Sequence, residues 1–224
     1  MKKAKNAKSS PASGKDTTRR KILIAMLRHA GFDGWTKTAY ARALKDAGVA
    51  RGEADLLLPS GLRDVIDLFG AWADEEMNKR IAAAPGFRHM RVREKIAFAV
   101  RARLEALTPH REAMRRLLYW YALPTHMPLG VKRLYKTVDR MWRAAGDAST
   151  DFNFYTKRIL LAGVVKVTML FWLDDDSAGC RKSWEFLDRR IGEVLKAGKA
   201  ISLAREWKPA EIVDFIKRKM GRAV

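Results

Sequence analysis

The 224-residue chain holds a single cysteine, Cys180. One thiol cannot close an intramolecular disulfide or supply a structural zinc site, and a reducing, intracellular setting is expected. Acids are also scarce. Against 45 Lys and Arg there are 25 Asp and Glu, a formal charge of +20 that points toward polyanions, either nucleic acid or an anionic membrane surface. Long apolar runs are missing too: the longest, Ile159 to Leu173, is 15 residues interrupted by Lys166 and Thr168. A bilayer span needs about 20, so this run predicts a central helix buried by its neighbours. Absent as well are G-x-S-x-G, the P-loop, G-x-G-x-x-G and HExxH, and His29, His89, His110 and His126 show no Glu-x-x-His spacing. No enzyme, metal or cofactor is indicated. No apolar segment near residue 1 resembles a secretory signal.

What is present is helical. The chain is 48% hydrophobic, ample for a core. Its apolar spacing predicts helices over 17–30, 36–47, 51–57, 62–84, 90–107, 110–122, 129–145, 153–174, 181–197 and 209–221, with breaks at Gly, Pro, Asp and Ser. No Asn-Gly turn joins alternating strands. Val92, Ile96, Val100 and Leu104 share one face, as do Trp184, Leu187, Ile191 and Val194. Asp174, Asp175 and Asp176 read as a solvated turn, with Asp176 or Ser177 capping the helix that follows. Residues 1–21 carry eight bases against Asp16 alone and have almost no large apolar side chain. They read as a disordered basic tail, and because they lack the pattern of a mitochondrial presequence, a bacterial cytoplasmic protein is expected.

The stretch "GWTKTAYARALKDAGVARGEADLLLPSGLRDVIDLF" resembles the helix-turn-helix head of TetR-family regulators, in which a short second helix enters the major groove. Residues 31–60 nevertheless balance Lys37, Arg42, Lys45 and Arg51 against Asp33, Asp46, Glu53 and Asp55. The candidate recognition helix, "RGEADLLL", offers carboxylates and leucines where base-reading Arg, Asn or Gln would be expected. Phosphate neutralisation supplies most DNA affinity, so DNA binding is disfavoured and the head reads as degenerate. A TetR-type regulator with a hydrophobic effector is the alternative reading.

A second stretch, "GDASTDFNFYTKR" (146–158), sets rings among charges directly before the apolar run. Ser149, Thr150 or Asp151 suits an N-cap, and Asp147 and Asp151 suit the positive end of the helix dipole. Phe152, Phe154 and Tyr155 fan out at about 100° per residue, so one helical turn cannot direct all three inward. At least one ring is expected at a partner surface.

Around it, "WRAAGDASTDFNFYTKRILLAGV", "FWLDDDS", "SWEFLDRRI", "EKIAFAVRARLE" and "LPSGLRDVIDLF" look like the ubiquinone-biosynthesis accessory proteins of the ninth Coq protein family. The resemblance covers roughly 20–197 and implies an all-α, TetR-like dimeric fold without enzymatic activity. It also implies a lipid held where regulators hold their effector, and docking onto the demethoxyubiquinone hydroxylase or a related monooxygenase. Carried onto this chain, the docking patch would be Asp139, Met141, Phe154 and Tyr155, with Asp151 and Asn153 shaping the turn. Phe154 stands where the family commonly has tryptophan. Pairing as TetR-like proteins pair would place the last two long helices at a homodimer contact, with Trp184, Leu187, Ile191 and Val194 as its seam.

An isoprenoid quinone or other lipid needs an apolar channel between helices. The richest supply of lining is "MRRLLYWYALPTHMPL" with the run at 159–173, giving Leu117, Leu118, Tyr121, Leu161, Val165 and Met169 as candidates. Beyond a looser linker, "KAGKAISLAR", the C-terminal segment carries Trp207, Ile212, Phe215 and Ile216 with Lys217 and Lys219 crowding the polar side. This suits an amphipathic helix on an anionic membrane surface, and with the tail it places the protein peripherally at a bacterial inner membrane. The expected division is 1–16 tail, 17–60 head, 61–200 helical lipid-binding domain and 201–224 linker and C-terminal helix.

Overall fold

The computed structural model describes residues 11–147 and 152–206, and among them it is helical with no strand. The helices are α1 (Pro11–Asp33), α2 (Lys37–Asp46), α3 (Arg51–Leu57), α4 (Leu62–Ala83), α5 (Val92–Leu107), α6 (Arg111–Ala122), α7 (Met127–Ala144), α8 (Phe152–Leu173) and α9 (Arg181–Glu206). Single 3₁₀ turns precede α5, α6 and α9.

The boundaries follow local chemistry. At the start of α2, the Thr36 hydroxyl accepts a bond from the Ala39 amide at 3.1 Å. Gly34 and Gly48, at φ 71° and 65°, turn the chain on either side of that helix in a region where a Cβ would be strained. Glu94 reaches back to the Arg91 amide at 2.9 Å to open α5. Between α8 and α9 the organising group is Asp175, so that of the two expected caps, Asp176 or Ser177, Ser177 takes part and Asp176 does not. The two Asp175 carboxylate oxygens accept from the amides and hydroxyls of Ser177 and Ser183 at 2.6–2.9 Å, while Ser177 in turn accepts from the Lys182 amide at 3.1 Å.

The head, α1 to α3, is clamped to the body. Trp35 donates its indole N–H to the Ala113 carbonyl at 2.9 Å, and Arg116 Nε donates to the Gly31 carbonyl at 2.8 Å. Phe69 stacks against Trp35 at 5.6 Å and Trp72 at 5.9 Å, with His110 edge-on to both Phe69 and Trp72. Burial there pushes the His110 imidazole below its ordinary range, toward the neutral form. In the body α4 packs on α5 and α7, α7 on α8, and α8 on α9, with α5 touching α7, α8 and α9.

Four readings need correction. α1 begins at Pro11, inside the segment read as tail, because a helix nucleated on buried Ile22, Leu23 and Met26 extends at the gain of one hydrogen bond per residue, whether or not the added turns bury anything. α9 likewise runs unbroken to Glu206, through the stretch read as a linker, whose Ala, Lys, Leu and Arg are good helix formers. And α8 is not covered on all sides. Leu161, Val164, Val165, Met169 and Trp172 face the core, but Ile159, Val167 and Phe171 form an exposed stripe at i, i+8 and i+12. Conversely, the expected dimer seam on α9 faces inward: Leu187 and Ile191 are buried in this chain's own core, and Trp184 lies under Arg101 of α5 at 5.1 Å.

Candidate functional site

The apolar face of α6 does not all go into the core. Ala113, Met114 and Leu117 are buried, whereas Leu118 and Tyr121, a step round the helix, face α7 and α8 across a cavity of about 450 Å³. Leu134 lines it from α7, and Val165 and Met169 from α8. Gly130 is required for this wall. A Cβ there would stand 2.9 Å from Cγ of Tyr121, so only glycine lets the Tyr121 ring lie against α7. Tyr119, Met127, Val131 and Leu170 are exposed around the rim.

The inner end is polar. Arg103, Arg133 and Thr137 reach it from α5 and α7, held by Asp74 of α4, whose side chain is 0% exposed. Asp74 accepts from Arg103 Nε at 2.9 Å, the Thr137 hydroxyl at 3.0 Å, Arg140 Nη1 at 3.4 Å, and Arg133 Nη2. Arg133 also reaches Asp67 at 3.3 Å. A side chain at Gly70 would overlap the Arg133 guanidinium, so this crossing too depends on glycine. A buried carboxylate is tolerated only when paired and hydrogen-bonded, and Asp74 is both. Burial pushes the Tyr121 phenol up to about 12, with nearby Arg133 pulling the other way, so the hydroxyl stays protonated.

Of the residues expected to line a lipid channel, Leu118, Tyr121, Val165 and Met169 come together at this cavity, whereas Leu117 and Leu161 are packed in the core. The polar floor was missed. Its signal was available as charged or hydroxyl residues at core positions: Asp74 in line with Gly70 and Met77 on α4, Arg103 beside Ala102 and Leu104 on α5, and Arg133, Thr137 and Arg140 at i, i+4 and i+7 on α7.

The expected docking patch lies at the α7–α8 corner, turned by Gly146 at φ 91°. Met141 is fully buried, and a docking role for its side chain is withdrawn. Asp139 is mostly covered, bonded to Arg143 at 2.7 Å and Arg158 at 2.9 Å. Arg158, 1% exposed, also reaches Asp147, which pairs with Lys157 at 2.9 Å. Asp139 and Asp147 thus anchor the first turns of α8. Tyr155 is 60% exposed on that helix. Asn153 and Phe154 lie in α8, and Asp151 falls outside the described residues, as do Trp207, Ile212, Phe215, Ile216, Lys217 and Lys219. Among the described residues, no cluster of His, Cys, Asp and Glu could hold a metal, and no helix is long and apolar enough to cross a membrane.

The COQ9 family model matches residues 127–198, the α7 to α9 portion that forms most of the cavity lining and the corner. The rat "Ubiquinone biosynthesis protein COQ9, mitochondrial" is 32% identical over 184 residues, covering 80% of this chain and 59% of its own length. The chain is similar to COQ9 proteins over most of its length. The Drosophila melanogaster and human COQ9 proteins are each 30% identical, over 81% and 80% of this chain and 56% and 58% of their own lengths. The chain therefore spans a little under three fifths of these COQ9 relatives. All three are named as mitochondrial proteins, which overturns the bacterial cytoplasmic placement. The charge pattern of one tail, on a chain that spans only part of its relatives, does not carry a compartment. A crystal structure of a TetR transcriptional regulator from Nitrosomonas europaea matches with a TM-score of 0.66 at 23% identity, over 80% of this chain and 99% of that one, and shows the TetR-like fold.

Proposed function

We propose that this chain acts in ubiquinone biosynthesis as a non-enzymatic accessory protein. It holds an isoprenoid quinone intermediate in the α6–α7–α8 cavity and presents it to a membrane-bound hydroxylase docked at the α7–α8 corner. The observation that carries this reading is the cavity itself: apolar walls with an exposed apolar rim and a polar inner end, the make-up of a site for a long hydrocarbon with an oxygenated head. Each buried methylene contributes about 0.8 kcal/mol, so a few isoprene units retain the ligand. The names of the relatives supply the pathway. The head does not favour the regulator reading. On α3, Arg51 is paired with Asp55 at 3.2 Å, and the outward residues are Glu53, Asp55 and an 85% exposed Leu56, which suit neither phosphate nor a base edge.

A paired substitution tests both halves. Met169→Trp fills the cavity and is expected to leave the helical signal intact while reducing bound lipid at least tenfold. Tyr155→Lys is expected to retain lipid and lose association with the hydroxylase, since truncating an interface anchor costs about 2 kcal/mol or more. Full lipid occupancy in Met169→Trp would refute the site, and an undiminished complex with Tyr155→Lys would refute the docking corner.

A further inference from the structure

The polar end of the cavity is asymmetric in what it offers. Its carboxylates are spent: Asp74 is shared among Arg103, Arg133, Arg140 and Thr137, and Asp67 is engaged by Arg133 and Lys136. Its hydroxyl on Thr137 donates to Asp74. The Tyr121 hydroxyl, by contrast, makes no hydrogen bond to a described residue, although it lies close enough to Arg133, Asp67 and Arg103 to feel their charges. Arg103 commits only its Nε to Asp74, leaving its terminal nitrogens for whatever enters. What remains unengaged is therefore a set of donors facing an apolar sleeve, joined by Arg133 Nε, which is buried with no hydrogen-bond partner. A bare hydrocarbon would leave them without partners, and a buried donor left unsatisfied is costly.

We infer that Tyr121 and Arg103 form a head-group subsite that hydrogen-bonds ring oxygens of the bound lipid. The ring lies at the Asp74 end, and the tail runs outward past Leu118 and Met169 to the rim at Met127 and Leu170. The inference rests on the lipid-binding reading above and adds its orientation and a residue that selects oxygenated rings. Gly130 belongs to the same device, because it lets the Tyr121 ring lie against α7. The protonated phenol donates, and the acceptor is a quinone carbonyl or a ring methoxy or hydroxyl oxygen. Lys166, the cation on the cavity's α8 side, is exposed to solvent.

The test uses three ten-carbon probes on the full chain: a decyl-substituted dimethoxybenzoquinone, decylbenzene and decanoate. Wild type is expected to bind the quinone roughly tenfold more tightly than decylbenzene, the worth of one well-made hydrogen bond in a dry site. Tyr121→Phe should erase that preference while leaving decylbenzene unchanged. Equal binding of quinone and decylbenzene by wild type, or an unaltered preference in Tyr121→Phe, overturns the subsite and leaves the lipid reading standing. Decanoate displacing the quinone overturns the ring assignment. Failure of all three probes to bind wild type removes the lipid reading and this inference with it.

Discussion

At the scale of single residues, the carboxylates do opposite jobs from those their sequence positions suggest. In the run of three, Asp175 is the buried one. Burial works against its charge, but the hydroxyl and amide donors of Ser177 and Ser183 more than offset this and hold the carboxyl well below its ordinary 3.8. Arg111 seals the same turn, donating to the Asp175 carbonyl at 2.8 Å and lying over the Trp172 ring at 4.7 Å. A depressed folded-state pKa means that the stabilisation is complete above the unfolded value and is lost as pH falls below it toward the folded one. Asp175→Asn is therefore expected to lower stability by about 2 kcal/mol near neutral pH. In denaturant titrations the gap to wild type should be flat above about pH 5 and close below about pH 4. A gap that is independent of pH would show that the carboxylate's charge is not what organises the turn. The sequence marked this segment as a turn, but three adjacent aspartates look alike until the fold shows which one is covered.

At the scale of elements, α8 is the most revealing helix. Its uniform apolarity was read as complete burial, yet its inner face is shared between the core and the cavity, and the stripe of Ile159, Val167 and Phe171 stays uncovered. Gly163 lies in line with that stripe, and a Cβ there would meet nothing within 4 Å. Phe186 of α9 extends the surface, stacked on Phe171 at 4.6 Å. An exposed apolar stripe on a helix asks for a partner, and we propose that a second copy of this chain covers it. Of the last two long helices expected at the contact, the pairing then uses the outer face of α8 rather than the Trp184, Leu187, Ile191 and Val194 seam of α9. Val167→Glu should convert a dimer to a monomer in sedimentation at micromolar concentration with little loss of helix. A wild-type monomer, or a Val167→Glu dimer, would contradict this. Helix existence was legible here because periodicity survives without tertiary context. Which apolar face is inside was not, because an all-round apolar helix contains no polar residue to mark the solvent side.

At the scale of the whole molecule, the chain combines a TetR-like frame with a head poorly suited to DNA and a cavity with a polar floor. The all-helical frame and most of its boundaries could be read from spacing, glycine and capping residues. The cavity could be read only in part, since Leu118, Tyr121, Val165 and Met169 were visible as apolar supply while Leu117 and Leu161 from the same supply fill the core. Only three-dimensional crossing angles decide which side chains interlock and which stand apart. The floor needed more still, because Asp74, Arg103 and Arg133 come from three helices separated by up to 59 residues and meet only once α4, α5 and α7 are packed. Whether this space holds an isoprenoid lipid is read most directly by native mass spectrometry of the freshly purified chain. A mass excess that disappears on organic extraction is expected, with an isoprenoid species recovered in the extract. A protein at its bare sequence mass, whose extract holds no isoprenoid, would contradict the lipid-binding reading.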